Sequence, residues 1–209
     1  MPLPRFEKLP PEKRERILEA AGREFAANGY ENTSMNRILE TAGISKGAAY
    51  YYFEDKADLI ATVIHHHWLE AAIGLHEALE HFSAADFWDR LADLYTHPFE
   101  LVEQAPWMLG MAEAVWSLPP EMREQGPLKR VFDEATEWLR AFIHRGIELG
   151  VVRDDLDEGI AVQLLMALDG IHDRWLARHL SGMTRSDREE FTRTFVDFFR
   201  RLLTPERDY

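Results

Sequence analysis

"SMNRILETAGISKGAAYYYFEDK", residues 34–56, sets two short apolar-patterned runs against each other across "TAGIS". Thr33 or Ser34 stands where a cap belongs, Met35, Ile38 and Leu39 follow at helical spacing, and Ala42-Gly43 stops the run. Ser45 is placed to cap the second run. Gly43 lies in the turn, where a residue tolerant of positive φ is favoured, so the stretch reads as a helix-turn-helix over about residues 34–53. At about 100° per residue, with Ala49 taken as zero, Phe53 falls near ~40° and Tyr52 near ~300°, which gives these three residues one packed side. Gly47, Ala48, Tyr50 and Tyr51 fall on the other side and face outward. Exposed rings are costly unless something covers them, and a duplex groove is a fitting cover. Small residues at 47 and 48 let a helix approach base edges, while tyrosine hydroxyls reach phosphate oxygens. Lys46 and Lys56, at the starts of successive helices, add positive charge where helix dipoles already favour anions.

Working outward, the chain is patterned as helix almost throughout, with no alternating stretch rich in β-branched residues, so the fold class is all-α. A first helix starts at Pro10-Pro11, carries Ile17, Ala21 and Phe25 on one face, and ends at Gly29. A long fourth helix, capped by Asp55, runs from Lys56 to about Phe82 and joins the head to the body. In the body, breaks are expected at Ser83, near Pro98, at Ala105-Pro106, Pro119-Pro120, Gly126-Pro127, Gly150 and Ser181-Gly182. The last two helices, about 156–180 and 186–203, carry long apolar faces that suit the core or a partner subunit. Residues 1–9 and 204–209 are expected to be mobile.

Composition narrows the choices further. The chain has 209 residues, 46% hydrophobic and 29% charged, which fits a folded globular protein. Zero cysteines exclude disulfides and thiolate metal sites. No apolar run is long enough to span a membrane, and the N-terminus lacks a signal-peptide core, so a cytoplasmic location is expected. Of the formal net charge of -13, residues 1–60 carry -1 and residues 61–209 carry -12. A near-neutral head thus precedes an acidic body, and the case for nucleic acid rests on the local motif rather than on total charge.

Residues 17–60 closely resemble the DNA-binding head of the tetracycline-repressor (TetR) family of bacterial transcriptional regulators, through "NGYENTSM", the "AGISKG" turn and the Tyr50-Tyr51-Tyr52-Phe53 block with Lys56. The resemblance implies that Thr33 and Ser34 meet phosphates and Asn36 reaches a base. It implies that Lys46, Gly47, Ala48, Tyr50 and Tyr51 lie along the groove, with Tyr52 near the DNA backbone and Lys56 on a phosphate. Ala49 departs from the family, which usually has a larger apolar residue there, so packing beneath the recognition helix is expected to be looser or compensated. The resemblance further implies a helix-turn-helix domain over 11–60 and an effector-binding, dimerising domain over 61–209. The protein would then be a homodimer on a double-stranded operator, released by a small-molecule effector. "LDEGIAVQLLMALDGIHDRWL" is similar to the family's penultimate helix, and Gly170 is expected to admit a partner helix.

Three stretches imitate catalytic motifs. In "HEALEH", His76 and His81 are five apart, about 140° around a helix, whereas a zinc pair needs i, i+4. "DDLDE", residues 154–158, opens a helix, where carboxylates cap amides. "HHH", residues 65–67, points three ways, so at most one ring faces the body. No nucleophile elbow, phosphate loop or dinucleotide fingerprint is present, and neither an enzyme, a metal nor a cofactor is expected. A DNA-coating architectural protein without an effector is the other alternative, and the acidic body weighs against it. For the effector pocket, the aromatic and Met supply of the body suits an apolar or planar ligand: Trp88, Trp107, Met108, Met111, Trp116, Phe132, Trp138, Phe142 and Trp175.

Overall fold

The computed structural model describes residues 2–45, 49–96, 99, 102–103 and 105–205, with Ala49 and residues 68–75 described by their backbone alone. Every regular element among the described residues is helical. The expected break near Pro98 and residues 206–209 of the expected mobile tail lie outside the described residues. None of the described helices is long and apolar enough to cross a membrane. The chain packs as two units, Met1–Ala71 with Ala105–Glu134, and Ala72–Gln104 with Ala135–Tyr209.

The first unit begins with α1, Pro4–Glu7. The N-terminus was expected to be mobile, yet Phe6 is 2% exposed and its ring lies 4.8 Å from that of Phe53. One buried aromatic side chain is worth on the order of 1.5–3 kcal/mol, enough to hold a four-residue helix in place. α2, Pro11–Asn32, buries Ile17, Ala21 and Phe25, the face its spacing predicts. Its helical path is interrupted at Gly29, where φ is +68°. α3, Met35–Thr41, is capped by Ser34, whose hydroxyl accepts from the Arg37 N–H at 3.4 Å. At its end Gly43 takes φ +69°, and the Gly43 and Ile44 amides donate to the carbonyls of Glu40 and Leu39, closing the helix with paired bonds. α4, Ala49–Tyr52, is the described part of the second motif helix. α5, Lys56–Glu80, starts where Asp55 accepts from the Asp58 N–H at 2.7 Å.

α7, Trp107–Trp116, packs against α2 so closely that both helices need glycine at the contact. A Cβ added to Gly22 would lie 2.2 Å from the Trp107 ring, and one added to Gly110 would lie 2.8 Å from the Ala26 Cβ. A short α8, Pro120–Arg123, follows.

In the second unit, α6, Phe87–Thr96, sets Phe87 in a stack with Phe142 of α9, Gly126–Glu148, at 4.7 Å. α10, Glu158–His179, starts at Asp157, whose carboxylate accepts from the Ile160 N–H at 2.9 Å, so the "DDLDE" stretch caps a helix. α11, Arg185–Leu203, opens with a reciprocal Thr184–Asp187 capping box. Gly170 is buried on α10.

One polar group in this unit runs against its surroundings. Asp169 on α10 accepts a hydrogen bond from the Tyr95 hydroxyl of α6, with His172 stacked nearby between Phe191 and Phe195. Desolvation, opposed by the Tyr95 hydrogen bond and assisted by the charge of Asp173, raises the Asp169 pKa to about 8. The folded chain therefore holds a proton that the unfolded chain has released above about pH 4. Stability from this group is full below the unfolded pKa and is lost as the pH rises through about 8. Asp169→Asn, which keeps the acceptor without the charge, is expected to hold its melting temperature better than the unmodified chain as the pH rises from 5 to 8. Thermal denaturation of both proteins across that range measures the difference, and parallel curves would show that Asp169 is ionised in the fold.

Candidate nucleic-acid interface and effector cavity

The motif helix divides its side chains as the helical wheel expects. Tyr52 and Phe53 are buried, whereas Tyr50 is 71% exposed and Tyr51 49% exposed. Tyr51 meets Tyr52 edge-on at 5.4 Å, so its ring is propped outward by a buried neighbour. Asn36, on α3, is exposed as well. Lys46, Gly47, Ala48 and the Ala49 side chain lie outside the described residues.

Two other residues of the sequence-derived set do internal work that spacing does not reveal. The break at Gly29 frees carbonyls at the end of α2, and these need donors. The Thr33 hydroxyl donates to the Gly29 carbonyl at 2.6 Å, with the residue itself buried. The Lys56 ammonium donates to the Glu31 carbonyl at 2.9 Å and lies 4.6 Å from the centre of the Tyr30 ring. Lys56 thus neutralises a helix C-terminus as well as standing at the start of α5. Ser34 caps α3, and its own N–H reaches Glu24, which also pairs with Arg37 at 3.1 Å. The Glu24–Arg37 pair fixes α3 on α2 and went unnoticed at the level of sequence, because neither residue lies in a motif.

The nine effector candidates fall in three places. Trp107, Met108, Met111 and Trp116 line an apolar cavity of about 40 Å³ in the first unit, and Phe132 packs edge-on against Trp116 at 6.0 Å. Trp88, Trp138 and Phe142 pack together in the core of the second unit. Trp175 lies half-exposed on α10, stacked on Phe191 and His179 at 4.2 Å each. Val63, Ile64 and His67 of α5 complete the wall of the first-unit cavity. The polar wall group His67 lies edge-on to Trp107 at 5.1 Å. Its neighbour His66 bonds Glu15 of α2 at 2.7 Å. Glu15, His66 and His67 bring possible ligand atoms within 4.8 Å of one another, the one such grouping among the described residues. The His66 and His67 rings lie 4.8 Å apart, so two rings of the His65–His67 run, rather than at most one, turn towards neighbouring helices.

Residues 17–63 match the profile of the bacterial regulatory proteins, tetR family. The chain is also 29% identical, over 81% of its length and 82% of the relative's, to the HTH-type transcriptional repressor AcnR of Corynebacterium diphtheriae. Over residues 17–63 the chain carries a TetR-family DNA-binding head. Its fold agrees with that of the regulator FadR from Bacillus subtilis, solved with stearoyl-CoA, at a TM-score of 0.72 and 18% identity, covering 88% of this chain and 96% of that one. It agrees likewise with SmeT of Stenotrophomonas maltophilia bound to triclosan, at a TM-score of 0.69 and 20% identity, covering 93% of each. With these likenesses it is a DNA-binding transcriptional regulator. Its cavity-bearing helix, α7, rests directly on α2 of the DNA-binding head through the glycine contacts. Gly22→Ala is expected to push Trp107 out of its seat and cost on the order of 1–3 kcal/mol, as overpacking does. Urea unfolding measures the loss, and an unchanged midpoint would show that the seat is loose.

Proposed function

We propose that this regulator is a repressor that binds a palindromic operator as a homodimer and leaves it when a small apolar or aromatic effector is bound. The two outward tyrosines of α4 carry the DNA reading, since they are costly as bare surface and suited to a groove. Residues 11–60 form the DNA-binding part and 61–209 the part that holds the effector and the partner subunit, with the protein acting in the cytoplasm. Within this reading Asn36, Lys46, Gly47, Ala48, Tyr50 and Tyr51 meet the groove. Ser34 and Lys56 meet the DNA backbone as well as holding the motif together, while Thr33 and Tyr52, both buried, hold it from within.

Support for a homodimer comes from a stripe on α10, where Ile160, Leu164, Ile171 and Trp175 are all exposed within about 60° of one face, and from exposed Phe198 on α11. Such a patch on a monomer is an expected site of association. Support for an apolar effector comes from the cavity wall of Trp, Met and Val side chains and from the ligands of the two structural neighbours, stearoyl-CoA and triclosan. Effector action requires different affinities for the DNA-bound and free conformations. An architectural DNA coat without an effector is the competing reading, and footprinting separates the two: a discrete palindrome supports the repressor and uniform coverage supports the coat.

Tyr51→Ala is expected to cost about 1–3 kcal/mol at the operator and little on scrambled duplex. Equal losses on both duplexes, in fluorescence-anisotropy titrations, would return the tyrosine to a packing role. Ile171→Glu combined with Phe198→Glu is expected to yield folded monomers in sedimentation, and a persistent dimer would place the interface elsewhere.

A further inference from the structure

The short helix α1 precedes the family match, which begins at residue 17. It is nevertheless built onto the recognition helix. Phe6 packs in the core against Tyr52 and Phe53, the Leu3 N–H donates to the Tyr52 carbonyl at 2.8 Å, and Glu7 pairs with Arg14 of α2 at 2.9 Å. These three attachments fix the residue between them. Arg5 is exposed, and its guanidinium carbon lies 4.2 Å from the centre of the Tyr51 ring.

The setting of Arg5 differs from that of three arginines around it. Arg14, Arg23 and Arg37 of the same unit are each held by a glutamate. Among the described residues Arg5 makes no ion pair, in a chain that carries 37 acidic residues. A guanidinium stacked on a ring uses its flat face and keeps its in-plane N–H donors for an acceptor, in the fork that matches phosphate oxygens. Stacking also limits the side chain's freedom in advance, which lowers the cost of binding. An exposed cation, held over an aromatic ring of the groove-facing helix and unneutralised by any acid among the described residues, has the properties of a phosphate-binding group.

We propose that Arg5 is a phosphate-contacting residue of the DNA interface and that α1 extends this interface beyond the helix-turn-helix motif. The proposal rests on the DNA-binding reading of α4. Its acceptor is the DNA backbone rather than a base, because stacking on Tyr51 holds the guanidinium beside the outward tyrosine face.

The test compares the unmodified protein with Arg5→Ala, Arg5→Gln and Arg5→Lys. Each is titrated at several salt concentrations against an operator duplex selected from a random-sequence pool and against a scrambled duplex. Arg5→Ala and Arg5→Gln are expected to weaken both duplexes by the same factor and to reduce the slope of log affinity against log salt by about one, with Arg5→Lys keeping the slope. Arg5→Gln retains much of the stem over Tyr51 and removes the charge, so a folding defect in Arg5→Ala leaves the test intact. Unchanged affinity and slope in Arg5→Gln would overturn the proposal. A loss confined to the operator with the slope unchanged would also overturn it, since that pattern belongs to a base contact or to a displaced Tyr51. Failure of the unmodified protein to bind either duplex would instead refute the DNA-binding reading itself.

Discussion

The close approach of α7 to α2 is the constraint on which the first unit depends. Gly22 and Gly110 have no Cβ, so the Trp107 ring and the Ala26 backbone occupy space that any other residue would fill. Ordinary helix pairs lie 8–10 Å apart on their side chains. Removing a side chain at each contact lets the indole of one helix lie on the backbone of the other. Residues 105–134 are thereby held in the same packing unit as the DNA-binding head, although about 85 residues of chain separate Gly22 from α7. The apolar cavity beneath Trp107 consequently has, as its immediate neighbour, the helix that supports the helix-turn-helix. Trp107 lines that cavity and is also in contact with α2.

A second constraint is the need to satisfy backbone polar groups wherever helices stop. Gly29 ends the regular part of α2, and Thr33 and Lys56 supply the donors that the interrupted ladder lacks. Gly43 ends α3 with paired amide bonds, and Asp55 starts α5. Each of these residues lies within or beside the stretch that recognises DNA. The same side chains that define the motif in sequence are thus engaged in setting its angles, and a Lys56 substitution removes a bond to the Glu31 carbonyl as well as a charge.

Electrostatics follows a different pattern from packing. The body's surplus of carboxylates is spread over exposed helical surfaces, where pairs such as Arg201–Asp197 and Arg90–Asp86 are worth little individually. The head, with nearly balanced charge, presents tyrosines and a few placed cations. Arg5 is one of these, and its position follows from the burial of Phe6. Asp169 is the exception in the body, a carboxyl whose removal from water favours the neutral form despite the hydrogen bond it accepts from Tyr95.

The sequence by itself determined the helical class, the helix-turn-helix, the division of the tyrosines between inward and outward, and most helix ends. All of these follow from interactions within a few residues of the chain: periodicity, capping carboxylates and hydroxyls, and glycines with positive φ. Tertiary structure alone decided that α1 is anchored, because a single Phe6 carries no periodic signal and becomes informative only beside Phe53. It decided that the nine aromatic and Met candidates separate into a cavity, a core and a surface stack, since composition does not say which rings meet. It also decided that Lys56 serves a carbonyl of α2, 25 residues away. Contacts between residues distant in the chain depend on how several helices pack at once, and no local pattern records that outcome.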